Sequence, residues 1–478
     1  MSQHNQSRRD FVSKMLALAG GSSLPFSINL AAMGSAAAQT ASDYKALVCV
    51  FLNGGNDHFN TVLTTDSESW NLYKRLRSTS EAGSIALPAA GAAGGILPIT
   101  PVTSQGGRSF ALHPSMLPVK HLFDSARAAI VANVGTLIRP TTLAQYNAGA
   151  VPLPPRLFSH SDQQALWQSP QASSSGDFGW GGRLADIIAA STSSAFTAVS
   201  TSGNALFLSG RKVRQYQING SGPIAVRNLD APIFGAPASS VPLRQIATAS
   251  FSDPIPKEHV AVTSRAIDSY ATISTAMLPA GAGGVPDPTP YINPVTGAAA
   301  VNPLAVQLQT VARIIGGRNA LGLKRQVFYV SLGSFDTHDF QSNRQADLLA
   351  RLAHAMAYFD TSLASLQGTD MRRQVTTFTA SDFGRTFTSN GDGTDHGWGS
   401  HHFVFGAAVK GRNIYGIMPP VGVGHDLDVG SGALLPSISV DQYGATLASW
   451  FGLSPTQITD VFPNIGNFSV RNLGFMAA

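Results

Sequence analysis

Asp336 and His338 stand two residues apart in Ser334-Phe335-Asp336-Thr337-His338, and Asp382 opens Asp382-Phe383-Gly384-Arg385-Thr386. Asp395-His396 follows in a glycine-rich loop. The chain has 12 histidines in 478 residues, and His338, His396, His401 and His402 crowd into this one stretch. Each carboxylate or imidazole follows a strand-like run or lies beside a glycine turn. Oxygen and nitrogen donors gathered at the carboxyl ends of strands are what a divalent cation requires. The chemistry that pattern points to is metal-assisted hydrolysis. Carboxylate and imidazole together suit zinc, manganese or iron better than the all-oxygen cage of calcium. One or two divalent ions (zinc, manganese or magnesium) are expected.

These residues need a scaffold. Residues 46–52 form a continuous apolar run, as in a strand buried on both faces of a parallel sheet. The run ends at Asn53-Gly54-Gly55-Asn56-Asp57-His58, which brings Asp57 to the strand's carboxyl end. Residues 129–134, 326–332, 374–379 and 403–409 read as further strands. Leu348, Leu349, Leu352, Met356, Phe359, Leu363 and Leu366 recur at helical spacing and predict an amphipathic helix over 344–367. Residues 114–126 and 440–451 also read as helices, as do 163–168, with Ser161 or Asp162 as the cap. Strands alternating with helices indicate an α/β fold of three layers, a mostly parallel central sheet flanked by helices. Residues 195–300 break the rhythm. Short strands at 205–208 and 213–218, a helix over 258–277 and a Gly/Pro-rich stretch over 279–303 mark an insertion or cap.

Composition narrows the function classes. The formal net charge is +5, charged residues make up 12 %, and no basic run interleaves with aromatics. Nucleic-acid binding is not expected. Arg8, Arg9 and Lys14 against Asp10 account for +2 of that charge, leaving +3 (5 − 2) on the remainder. The paired arginines precede Phe11, an apolar stretch from Met15 to about Met33, and Ala36-Ala37-Ala38. Residues 1–38 thus resemble a twin-arginine export signal, with residues 39–478 as the mature domain in the periplasm or outside the cell. Gly20, Gly21 and Pro25 interrupt the apolar run, so it makes a poor membrane-spanning helix. The one cysteine, Cys49, allows no internal disulfide and reads as a small core residue.

Seven elements carry a family resemblance. They are Gly54-Gly55-Asn56-Asp57, His113-Pro114-Ser115-Met116, Ser159-His160, Gly179-Trp180-Gly181-Gly182-Arg183-Leu184, Phe335-Asp336-Thr337-His338, Ser381-Asp382-Phe383-Gly384-Arg385-Thr386 and Asp395-His396-Gly397-Trp398-Gly399. In this order they resemble the bacterial family catalogued as domain of unknown function 1501. That resemblance implies a place near the alkaline phosphatase and sulfatase superfamily, whose members use one or two divalent metals and a Ser, Thr or modified Cys nucleophile. By the resemblance, Asp57 matches the first-strand carboxylate ligand, and Asp336 and His338 match the central pair on one metal. Asp382 matches the aspartate of an Asp-His pair, with Phe383 standing where the histidine belongs. His396 matches the late histidine ligand. His160, His58 or His401 is left to supply the missing imidazole.

Two readings follow. The first is an exported metal-dependent hydrolase of small anionic phosphate or sulfate esters. Asp57, Asp336, His338, Asp382 and His396 hold the metal, Ser159 (or its neighbour Ser161) attacks, and Arg385 grips the anion. Ser159 precedes a helix whose amides suit an anion. The alternative for Arg385 is an ion pair with a nearby carboxylate. The second reading is a non-catalytic binding or assembly protein on a degenerate hydrolase scaffold, holding a cell-envelope partner. Phe383 at a ligand position favours the second.

Overall fold

In the computed structural model, residues 44–78, 83–170, 177–189, 195–226, 229 and 240–477 are described. The expected export signal over 1–38 lies outside them. The central strands, in chain order, are β1 (Lys45–Leu52), β2 (Ala128–Gly135), β3 (Ala198–Ser200), β4 (Arg325–Leu332) and β5 (Val375–Ser381). A hairpin of β6 (Arg385–Ser389) and β7 (Thr394–His396) follows, then β8 (Ser400–Phe405). The main helices are α1 (Ser67–Arg77), α2 (Leu117–Asp124), α3 (His160–Gln168), α4 (Trp180–Ile188), α5 (Pro254–Ala276), α6 (Pro303–Gly316), α7 (Gln341–Ala364) and α8 (Val440–Phe451).

The apolar run at the start of the chain becomes the middle of the sheet. β1 lies between β4 and β5, parallel to both, with Leu52 opposite Leu332 on one side and Ser381 on the other. The nine-stranded sheet runs Ile414–Tyr415, β2, β8, β5, β1, β4, β3, Tyr216–Gln217, with Ile438–Ser439 also pairing β2. Every strand shares one direction except β8, which is antiparallel to β5 and β2. The sheet is therefore mostly parallel, as expected.

Alternate residues of β1 serve opposite layers. Val48 and Val50 pack with Val119 and Phe123 of α2, Leu308 and Val311 of α6, and Leu349 and Met356 of α7. Leu47, Cys49 and Phe51 pack with Leu184 of α4 and with Leu447 and Phe451 of α8 on the other face. Buried on both sides, such a strand must read as apolar throughout. Cys49 is part of that core, where burial pushes its thiol well up.

The segment 195–300 differs in detail from its sequence reading. β3 and Tyr216–Gln217 extend the edge of the main sheet. Residues expected as a strand over 205–208 instead form one 3-10 turn, Leu206–Leu208. There Phe207 sets its ring 4.6 Å from that of Trp180, edge to face. Three apolar residues in a row were too short a signal to separate strand from plug. α5 is largely exposed, with Ile273 its one fully buried residue.

A buried carboxylate sits in the first turn of α8. Asp441 hydrogen-bonds Ser439 at 3.1 Å and accepts from the Asn464 amide at 3.1 Å. Burial pushes its carboxyl up to about 7, against the pull of these bonds and of Arg183. Raised above the unfolded value of about 3.9, this group takes up a proton on folding. Its contribution to stability is therefore full below about pH 4 and is lost as pH climbs toward about 7. We expect Asp441→Asn, which keeps an acceptor for Asn464, to remove this dependence. In urea unfolding from pH 5 to 7 the variant should gain on the wild type by about 1.4 kcal/mol per pH unit; a constant difference would refute it.

Candidate metal centre

Because β1, β4 and β5 end side by side, the loops after them meet. The β1 loop is drawn tight by Gly54 and Gly55, both at positive φ (117° and 81°). A Cβ on Gly54 would collide with the Asp336 amide, and one on Gly55 with the Phe383 ring. The Gly-Gly pair thus lets the three loops touch, and the Gly54 amide donates to Asp382 Oδ2 at 3.1 Å.

Three side chains converge here. His160, Asp336 and His396 each offer one ligand atom, all within 4.8 Å of one another. His160 Nε2 lies 3.4 Å from Asp336 Oδ2, and His396 Nε2 lies 3.3 Å from Asp336 Oδ1. His338 adjoins two of the three, its Nε2 being 3.1 Å from Asp336 Oδ1 and 2.9 Å from His396 Nε2. Four ligands held about 2.0–2.1 Å from a zinc ion stand about 3.3 Å apart. The two histidine contacts with Asp336, at 3.3 and 3.4 Å, match that spacing, and the trio as a whole lies within 4.8 Å.

The opposite ring nitrogens explain the orientation. His160 Nδ1 pairs with Asp382 Oδ2 at 2.7 Å, and His396 Nδ1 pairs with the Phe158 carbonyl at 2.7 Å. Each acceptor fixes the proton on Nδ1 and turns the Nε2 lone pair toward Asp336, the arrangement by which outer groups orient metal-binding histidines. Lone pairs facing a carboxylate repel it unless a proton or a cation lies between. The hydrogen bond to Asp382, with Asp336 adding to it, raises the His160 pKa. Partial burial pushes the Asp336 carboxyl upward, but Arg385, His160 and His338 outweigh it and hold it below the usual range. Burial lowers the His396 pKa. Asp382 Oδ1 is buried without a partner.

Several expected ligands take other roles. Asp57 is fully buried, and Arg77 grips both its oxygens, at 2.5 and 3.1 Å. Gln341 Nε2 donates to Oδ2 at 2.6 Å, and the Phe59 amide donates to Oδ1 at 3.1 Å. Asp57 is thus a structural anion, its lone pairs spent before a metal could use them. Asp382 supports His160 rather than joining the trio, and Gln164 Nε2 also donates to its Oδ2 at 2.8 Å. Phe383 fills the place expected of an imidazole, its ring 4.8 Å from His160 and 4.7 Å from His396.

Arg385 has a side chain of 0 % exposure. It donates to Asp336 Oδ1 (2.9 Å), Gly54 O (3.0 Å) and Thr394 Oγ1 (3.0 Å), so it positions Asp336 and has no face open to an anion. Ser159 is the residue ahead of α3, which starts at His160 rather than 163 because Ser159, not Ser161 or Asp162, takes the capping position. The Ser159 hydroxyl donates to Asp162 Oδ2 at 2.6 Å. His58 and His401 pack together away from the trio, with ring centroids 4.7 Å apart. Burial holds His58 well below its ordinary pKa and His401 at about 3, so both are neutral.

His160 was legible only as one of three substitutes, since it lies far in sequence from Asp336. The Phe158 carbonyl, a main-chain anchor, leaves no trace in residue type. Phe158 itself sits at φ 69°, a conformation bulky residues avoid.

Residues 289–461 match the family model described as Protein of unknown function (DUF1501), a stretch that carries Asp336, His338, Asp382 and His396. No curated protein matches the chain. Among solved structures it is similar to one from work on the metabolism of multiple glycosaminoglycans by Bacteroides thetaiotaomicron (11 % identity, TM-score 0.33, covering 88 % of this chain and 75 % of that one). Ps i-CgsB is similar at 8 % identity and TM-score 0.34, covering 89 % and 77 %. A mutant of the alkaline phosphatase PafA follows at 12 % and 0.28, covering 74 % and 65 %. Likenesses this distant say nothing about chemistry.

Removing one member of the buried Asp57–Arg77 pair leaves an uncompensated charge. Asp57→Asn should therefore lower stability by about 3–5 kcal/mol in urea unfolding, while zinc taken up per folded chain stays unchanged. Loss of zinc from the folded variant would restore Asp57 to the ligand set.

Proposed function

We propose that this chain is an exported, metal-dependent hydrolase of phosphate or sulfate esters with a single metal centre. One observation carries the reading: His160 and His396, each anchored through Nδ1, aim Nε2 at the same carboxylate, Asp336. His160, Asp336 and His396 hold the ion, and His338 stands beside them. Three imidazoles with one carboxylate favour zinc, manganese or iron over magnesium, which prefers oxygen. A bound ion supplies polarisation of the ester oxygen and a lowered pKa for a coordinated hydroxyl.

The chain's own groups do the rest. Ser159, bracketed by the His396 anchor at Phe158 and by His160 itself, is the proposed nucleophile. Asp162 Oδ2, 2.6 Å from its hydroxyl, takes the proton as the Ser159 oxygen bonds to phosphorus or sulfur and the ester bond breaks, and passes it to the departing alcohol oxygen. Water then cleaves the Ser159 ester, releasing phosphate or sulfate and restoring the hydroxyl. Arg385 keeps Asp336 ionised and in place. Asp382 holds His160 in the tautomer that leaves Nε2 free. Export by the twin-arginine machinery to the periplasm or beyond belongs to this proposal. No helix among the described residues is long and apolar enough to cross a membrane.

A second reading, a non-catalytic holder of a cell-envelope protein partner, is favoured by the enclosure of Arg385, whose donors are taken up by Asp336, Gly54 and Thr394 rather than left open to an ester anion. A stoichiometric partner recovered with metal-free protein would select it.

For the hydrolase, Asp382→Asn should weaken zinc binding about 10- to 100-fold in equilibrium dialysis. His160→Ala with His396→Ala should abolish both zinc binding and turnover of 4-nitrophenyl phosphate or sulfate. Ser159→Ala should stop turnover while zinc content holds. Full zinc occupancy in the double histidine variant would sink the proposal.

A further inference from the structure

Phe340 lies two residues beyond His338 and immediately ahead of α7. It is 64 % exposed and adopts the left-handed conformation (φ 53°, ψ 32°), which bulky side chains rarely take. Its backbone is pinned there. The Phe340 amide donates to Asp392 Oδ2 at 3.0 Å, and the Gln341 amide donates to Asp392 O at 3.0 Å. Asp392 belongs to the turn of the β6–β7 hairpin, whose Asp395 Oδ1 lies 3.3 Å from His338 Nδ1. The same hairpin thus reaches both the metal-ligand cluster and the strained aromatic.

One helical turn on, the Arg344 guanidinium stands 5.8 Å from the Phe340 ring centroid. Arg344 is exposed and makes no ion pair with a described residue. Its position contrasts with that of Arg385, which is sealed inside. A strained, solvent-facing aromatic with an open cation at its side is poorly explained by packing, since burial would stabilise the ring and a carboxylate would satisfy the arginine.

We propose that Phe340 and Arg344 form the ring-binding platform of the active site, selecting esters whose leaving group is a flat ring carrying a further anionic group. The ring stacks on Phe340, and the anionic substituent meets Arg344. An aryl group and the apolar face of a pyranose share this chemistry. The inference rests on the hydrolase reading and adds the leaving-group side of its substrate. Phe340 and Arg344 contact the leaving group away from the reacting atoms, so their loss weakens binding more than it slows the chemical step.

The test uses zinc-loaded full-length protein and calorimetric titration with methylphosphonate, phenylphosphonate, 4-carboxyphenylphosphonate and glucose 6-phosphate. Phenylphosphonate should bind more tightly than methylphosphonate. Phe340→Ala should erase that preference, a loss of about 3- to 10-fold, and Phe340→Trp should restore it. Arg344→Gln should remove the extra affinity of the carboxylated probe alone. In initial-rate assays with phenyl phosphate, Phe340→Ala should raise KM and leave kcat within about two-fold. Glucose 6-phosphate responding to Phe340→Ala while phenylphosphonate does not would assign the platform to sugars; the reverse would assign it to aryl groups. Equal affinity for methyl- and phenylphosphonate, with glucose 6-phosphate also indifferent to Phe340→Ala, overturns the platform but leaves the hydrolase standing. If no probe binds and no ester turns over, both fall together.

Discussion

The whole site depends on an electrostatic tension around Asp336. Two imidazole lone pairs face one carboxylate at 3.3–3.4 Å, and a third imidazole nitrogen crowds in at 3.1 Å. Such an arrangement repels itself unless something positive sits within it. The fold does not relax the tension, because each ring is held from behind. Asp382, locked by the Gly54 amide and Gln164, fixes His160. The Phe158 carbonyl fixes His396. Arg385 supplies one positive charge from the side, enough to keep Asp336 ionised but not to occupy the space between the rings.

Buried arginines are the second theme. In a chain with few charges, two guanidinium groups are enclosed at the sheet's carboxyl edge, Arg77 and Arg385. Arg77 ties α1 to the β1 loop through Asp57 and to β6 through the carbonyls of Thr386 and Phe387. Arg385 ties the β1 loop to the Asp336 loop and to β7. Each planar guanidinium spreads its donors over several segments, which lysine's single ammonium would not do. The precision of the His160–Asp336–His396 trio thus comes from cations that never touch it from the open side.

The sequence made the scaffold readable and the site only partly so. Continuous apolar runs such as 46–52 and 326–332 announce doubly buried parallel strands, and the leucine spacing of α7 announces a helix. Both signals are local. β3 was missed because Ala198–Ser200 is three residues long, hidden beside serines and threonines. Asp336, His338 and His396 were legible as donors because they cluster in sequence. Asp57 looked equivalent, since a carboxylate after a strand reads the same whether it faces an ion or an arginine. What separates the two is Arg77, twenty residues on and invisible to spacing. Arg385 was readable as an ion-pair partner but not as a sealed one, because burial at a loop is a tertiary property.

The anchoring bonds of the two trio histidines join residues 222 and 238 positions apart. Segment 158–160, which bears one histidine and the carbonyl that steadies the other, must dock onto the ends of β4, β5 and β7 before either ring is aimed. Long closures of this kind form late in folding. A nascent or unfolded chain therefore lacks the His160–Asp336–His396 arrangement, which arises only with the finished tertiary structure. Whatever cation the proposed site would take must therefore meet an already folded protein.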